Sequence, residues 1–170
     1  GMMDNEELLR YVCQWKENIQ LIFCLGSNDE LRQRLSEDPI LQHNNIRLLG
    51  YTNEIEQLME ISDLLITKPG GLTCTEGMIK GLPMLFHSPI PGQEEENCRY
   101  FTESGFGEQI LEMDTVDRWM NRLENHHETM QDERKAKRQA IQAQWPRHCA
   151  EAIVERLYST THPAREEEIV

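Results

Sequence analysis

Between Thr67 and Asn97 the chain reads TKPGGLTCTEGMIKGLPMLFHSPIPGQEEEN, and this stretch constrains the fold more than any other. It begins where the apolar run Asp63-Leu64-Leu65-Ile66-Thr67 ends. A short apolar run closed by Pro-Gly-Gly predicts a buried strand entering a tight turn. Thr73 or Thr75 is expected to open a helix lasting until Gly81, a natural C′ residue, with Pro83 as its stop. The run Pro83–Phe86 predicts the next strand. Strand, glycine turn, helix and strand make one βαβ unit of a parallel sheet. Ligands of such sheets bind beyond the carboxyl ends of the strands. The polar loops Lys68–Thr75 and His87–Asn97 both leave those ends and should share one crevice.

The rest of the chain repeats the alternation. Asp4–Glu17 carries a helical apolar face (Leu8, Leu9, Val12, Cys13, Trp15), with Asp4 or Asn5 as its cap. Ile19–Leu25 reads as a continuous apolar strand apart from Gln20, and Gly26–Asp29 turns it into a helix over Glu30–Ser36. A strand over Ile46–Leu49 follows, then the turn Gly50–Asn53 and a helix over Glu54–Ile61. After the central stretch come a helix over Glu94–Glu103 closed by Gly105, a strand over Gly107–Leu111, and helices over Asp114–His127 and Met130–Gln144, each with one solvated face. Trp145-Pro146 breaks the chain before an amphipathic helix over Arg147–Tyr158, and Ser159–Val170 is a polar tail. Strict alternation with right-handed crossovers places helices on both faces of a parallel sheet. The expected fold is therefore α/β and Rossmann-like. A Rossmann-like domain opens with a strand, yet this chain opens with a helix. It reads as a piece of a longer protein lacking its first strand, with one domain over 1–158. Gly1 ahead of Met2 reads as a tag remnant or as the end of a native glycine turn.

Composition removes several functions. The 170 residues suffice for one domain with a sizeable core. Thirty acidic residues against 17 basic give a formal net charge of −13, which disfavours a nucleic-acid partner, since phosphates require a basic face. Five scattered cysteines without CxxC spacing point to reduced thiols and a cytoplasmic setting. No apolar run approaches the ~18 residues of a membrane span.

Lys68-Pro69-Gly70-Gly71-Leu72-Thr73 through Glu76, followed by Pro89-Ile90-Pro91-Gly92-Gln93-Glu94 and Asn97, resembles the carboxyl-terminal domain of GT-B glycosyltransferases. The group it resembles, of the family 28 type, contains the processive diacylglycerol glucosyltransferases, the plant monogalactosyldiacylglycerol synthases and the peptidoglycan N-acetylglucosaminyltransferase. The resemblance covers roughly residues 5 to 125 in element order, with motif matches at Gly26–Asn28, Gly50–Asn53 and Thr67–Asn97. It implies the C-terminal half of a GT-B architecture. The implied ligand is a UDP-sugar bound as substrate, with no cofactor and no metal. The implied acceptor is a lipid, diacylglycerol, held by a domain preceding this one. The implied setting is peripheral association of the full protein with the inner face of the membrane.

Each position has a plain structural reading beside the functional one. Gly70 and Gly71 let backbone approach a diphosphate at a helix N-terminus, and Thr73 and Thr75 add hydroxyls; the alternative is an ordinary turn with a threonine cap. Glu76, placed in the first turn, suits a ribose diol and takes that role by resemblance; the alternative is a dipole-favoured glutamate. Gln93 and Glu94 face the donor sugar by resemblance, while Glu95 and Glu96 read as a solvated helix start. Asn97 can hydrogen-bond within the loop. Tyr51 and Thr52 occupy the turn that receives uracil in the resembling enzymes, though exposed turn aromatics are common. Ser27 can approach the phosphates, or Ser27, Asn28 or Asp29 can cap a helix. Lys68 is a candidate counter-charge for leaving UDP, and His87 either touches the donor or caps its loop. His126 and His127 read as solvent-facing.

The resemblance implies the donor-binding part of an inverting hexosyltransferase whose base belongs to the preceding domain, so the isolated chain is expected to bind donor without transferring it. The alternatives are a UDP-N-acetylglucosamine 2-epimerase-like domain and a non-catalytic nucleotide-sugar-binding module.

Overall fold

The computed structural model describes residues 5–144. The expected cap Asp4, the break at Trp145-Pro146, the helix over Arg147–Tyr158 and the polar tail lie outside the described residues. Helix α1 (Asn5–Val12) passes through a 3-10 turn (Cys13–Trp15) to β1 (Leu21–Cys24), α2 (Asp29–Ser36) and β2 (Ile46–Leu49). Then come α3 (Ile55–Ile61), β3 (Leu65–Thr67), α4 (Gly71–Ile79), β4 (Met84–Phe86), α5 (Gln93–Glu103) and β5 (Gly107–Gln109). Helices α6 (Met113–Asn125) and α7 (His127–Gln144) follow. All strand pairings are parallel, with Leu21 opposite Ile46, Thr67 opposite Phe86 and Phe86 opposite Gln109.

β4 shows why the alternation works. Side chains alternate across a strand, so Met84 and Phe86 face one way and Leu85 the other. Met84 and Phe86 pack with Cys74 and Met78 of α4 and with Cys98 and Phe101 of α5. Leu85 packs with Leu8 and Val12 of α1 and with Val116 and Met120 of α6. All three are fully buried, so β4 is covered by helices on both faces and reads as uninterrupted apolar sequence. This is the α/β class with helices on both sides of parallel strands.

β1 behaves differently. The apolar run Ile19–Leu25 yields only a four-residue strand. Leu21 and Phe23 enter the core shared with α1, whereas Cys24 is exposed and Ile22 is 38% exposed. The strands also form two separate sets, β1-β2 and β3-β4-β5. β1 and β3 each leave one edge without a partner strand among the described residues. The sets nevertheless share one core, in which Leu21 and Ile46 join Leu85 and Ile110.

Gly81 ends α4 as expected, at φ +64° with its N–H donating to Met78 O at 2.9 Å. A Cβ at Gly81 would meet the backbone of Arg134 and Arg138, so α7 lies directly on this turn. The Arg134 guanidinium donates to the carbonyls of Met59 (3.0 Å), Glu60 (3.1 Å), Ser62 and Lys80 (3.3 Å). It closes the carboxyl ends of α3 and α4, whose last carbonyls lack helical partners.

Candidate functional site

The glycine turn departs from the sequence reading in two respects. Neither Thr73 nor Thr75 opens the helix: α4 starts at Gly71, with Gly70 as N-cap and no side-chain cap. Thr75 instead sends its hydroxyl back to Gly71 O at 2.7 Å, and Thr73 is the third helical residue. A Pro-Gly-Gly turn brings the chain into helical geometry sooner than a threonine cap would. Glu76 consequently lies in the second turn, not the first. The macrodipole effect fades within the first turn, so it accounts poorly for a glutamate here. Glu76 is half-buried, and its carboxylate makes no hydrogen bond or ion pair with any described residue.

The second motif turns at Gly92 (φ +100°) and enters α5 at Gln93, which is exposed. Glu95 accepts from the Gly92 N–H at 3.2 Å, which makes it the capping glutamate. Glu94 Oε2 accepts from the Ile90 N–H at 2.8 Å, tying that carboxylate to the proline-rich loop. Asn97, one turn on, donates from Nδ2 to Pro69 O at 3.0 Å. This bond fastens the second motif to the glycine turn of the first. The Asn97 amide also lies 3.5 Å from where a Cβ on Gly71 would stand.

The structure brings Gly70, Gly71, Thr73, Glu76, Gln93, Glu94 and Asn97 onto two elements joined in this way. Among the described residues, no hydrogen bond or ion pair connects Ser27, Tyr51 or Thr52 to them. Tyr51 is 78% exposed after β2, and Thr52 Oγ1 accepts from the Glu54 N–H at 3.1 Å. After β1, Gly26 adopts φ +60° and Asn28 caps α2, its Oδ1 accepting from Leu31 N at 3.0 Å. Ser27 is exposed and does not cap. The sequence reading passed over Arg32, whose Nε lies 3.4 Å from the position of a Cβ on Gly50. It brings a cation, paired with Asp29 at 3.0 Å, to the turn after β2. A basic residue in the first turn of the helix after a glycine turn was the available signal.

His87 follows β4, and its N–H donates to Thr67 O at 3.1 Å. Burial, and then the neighbouring Lys68 cation, push its imidazole below the usual histidine range, against an opposing pull from Glu94. Beneath the glycine turn Cys74 is buried, and burial followed by Cys98 and Glu94 pushes its thiol up to about 12. The four described cysteines are free. His127 pairs with Asp63 at 3.1 Å at the surface.

This is an α/β domain with parallel strands whose glycine turn and proline-rich loop meet at the strand ends. Residues 5–156 match the family model described as the glycosyltransferase family 28 C-terminal domain, and the chain belongs to that family. Relatives include a processive diacylglycerol beta-glucosyltransferase of Bacillus pumilus, 31% identical over 91% of this chain and 39% of the relative. The enzyme of the same name from Bacillus licheniformis is 36% identical over 66% of this chain and 31% of the relative. That from Staphylococcus aureus is 44% identical over 53% of this chain and 23% of its own length. The chain thus spans well under half of these relatives. A solved structure, the glycotransferase of kitacinnamycin, superposes with a TM-score of 0.59 at 17% identity. It covers 92% of this chain and 40% of its own, so the fold is shared. No helix among the described residues is long and apolar enough to cross a membrane.

Proposed function

We propose that this chain is the donor-binding part of an inverting glycosyltransferase, taking a UDP-sugar whose hexose passes to a lipid acceptor, diacylglycerol. The relatives named as diacylglycerol glucosyltransferases support that acceptor and glucose as the hexose. The observation that carries the reading is the glycine turn. Gly70 has φ −69° and ψ 134°, and nothing within 4 Å of where a Cβ would stand. Neither conformation nor packing requires glycine there, so the bare backbone suits a ligand that approaches closely. The first turn of α4 has no side-chain cap, and its amides with the helix dipole suit a diphosphate. Glu76, one turn further and with its carboxylate unpaired among the described residues, suits the ribose hydroxyls, with Gln93 and Glu94 toward the hexose and Tyr51 and Thr52 toward the uracil.

In the reaction the acceptor hydroxyl attacks the anomeric carbon, the bond to the diphosphate breaks, and UDP leaves with its negative charge met by the helix N-terminus and Lys68. We assign no base within this chain, and propose that the isolated chain binds donor without transferring it. The full protein acts on the cytoplasmic face of the membrane, where its lipid acceptor resides.

Calorimetric titration with UDP tests the reading. Saturable binding is expected, with GDP much weaker. Glu76→Ala should lower UDP affinity roughly ten- to a hundredfold, the value of hydrogen bonds to a charged group. Equal binding of UDP and GDP, or an unaffected Glu76→Ala protein, would reject the donor site as drawn.

A further inference from the structure

His87 stands at the junction of the two motif loops and is used by neither. Its ring Nδ1 is the buried side-chain polar atom without a hydrogen-bond partner among the described residues. Native interiors leave few such atoms, and those that occur call for an explanation. An orphaned N–H is rarer than an under-satisfied acceptor, so the proton of the neutral ring belongs on Nε2. His87 as a whole is only half-buried, so Nε2 is the nitrogen left to meet a ligand. The next residue, Ser88, has φ +44°, the sole non-glycine residue in the left-handed region among those described. Such backbone strain concentrates at binding sites, and here it fixes the turn that carries the imidazole. The charged groups acting on the ring are Lys68, from the loop after β3, and Glu94, from the start of α5.

We propose that His87 donates a hydrogen bond from Nε2–H to a hydroxyl of the donor's hexose and so discriminates nucleotide sugar from free nucleotide. This assignment rests on the donor reading above. A sugar hydroxyl is favoured over the diphosphate because the diphosphate charge is already assigned to the first turn of α4 and to Lys68, and a neutral, half-buried ring suits a neutral partner. Glu94, its other charged neighbour, already belongs to the loop assigned to the sugar.

The test is titration of this chain with UDP and with UDP-glucose, for the native protein, His87→Ala and His87→Gln. The glutamine amide nitrogen reproduces Nε2–H and should restore what alanine removes. Native protein should bind UDP-glucose more tightly than UDP. His87→Ala should lose a few-fold to about tenfold in UDP-glucose affinity while its UDP affinity stays unchanged. Nitrogen-15 spectra of the native imidazole guard against misfolding of the alanine variant: the Nε2 resonance should be that of the Nε2–H tautomer, shifting with UDP-glucose and not with UDP. Equal weakening toward both ligands would place His87 on the diphosphate and overturn the proposal. So would a native preference for UDP-glucose that survives in His87→Ala, or an imidazole resonance indifferent to the sugar. Absence of any UDP binding by the native chain would instead reject the donor reading itself, and the His87 assignment with it.

Discussion

Gly70 and Glu76 show what a single residue discloses once its surroundings are known. As letters, Pro-Gly-Gly announces a turn, and a turn is a sufficient reason for glycine. The backbone removes that reason, because φ −69° and ψ 134° are open to any residue and the Cβ position is empty. Gly70→Ala should therefore fold with stability within about 1 kcal/mol of the parent in urea unfolding, since a lost glycine cap and a stiffer unfolded chain act in opposite directions. It should also lose at least tenfold in UDP affinity. A variant that binds UDP normally would show that no ligand approaches this backbone. The sequence placed Glu76 in the first turn of α4, one turn too early, because helix starts follow backbone geometry more closely than the nearest threonine. The sequence signals Arg32 only as a basic residue in the first turn after a glycine turn; the fold alone lays its guanidinium beside Gly50.

At the scale of elements, β4 and β5 explain a glycine that sequence reading treats as incidental. Gly107 opens β5 opposite Met84. A Cβ there would stand 2.9 Å from Met84 O and 2.3 Å from the edge of the Phe86 ring, itself fully buried between α4 and α5. Neither backbone carbonyl nor trapped ring can yield. Gly107→Ala should cost about 1–3 kcal/mol, read as a fall in the urea midpoint with unchanged slope. A midpoint equal to that of the parent would mean that the β4–β5 pairing opens more readily than its packing implies. Most elements were legible because each strand run is short and bounded by glycine, proline or asparagine. The exception is β1, where an apolar run suggested a longer strand than the four residues that pair, and where Ile22 and Cys24 remain outside the core.

At the scale of the whole molecule, one side chain of α7, Arg134, ties together elements distant in sequence through four carbonyls. Arg134 closes the ends of α3 and α4, the helices on either side of β3 and the glycine turn. Arg134→Met keeps much of the aliphatic stem and removes the donors, and should cost about 2–3 kcal/mol in urea unfolding. A smaller loss of UDP affinity than Glu76→Ala produces is expected, because Arg134 acts on the scaffold and not on the ligand. Stability unchanged by the substitution would show that the carbonyls are equally well served by water. Sequence read α7 as a charged helix with a solvated face, and nothing in its alternating charges singled out residue 134. The sequence alone determined the order and type of the elements, the parallel class and the two motifs, because hydrophobic periodicity, glycine and proline act locally and are visible in neighbouring letters. Tertiary structure alone decided that Asn97 binds the two motifs together, that Arg134 locks α7 onto α3 and α4, and that His87 Nδ1 has no partner among the described residues. Each of those depends on the hydrogen-bond accounting of groups far apart in the chain, which no local pattern records.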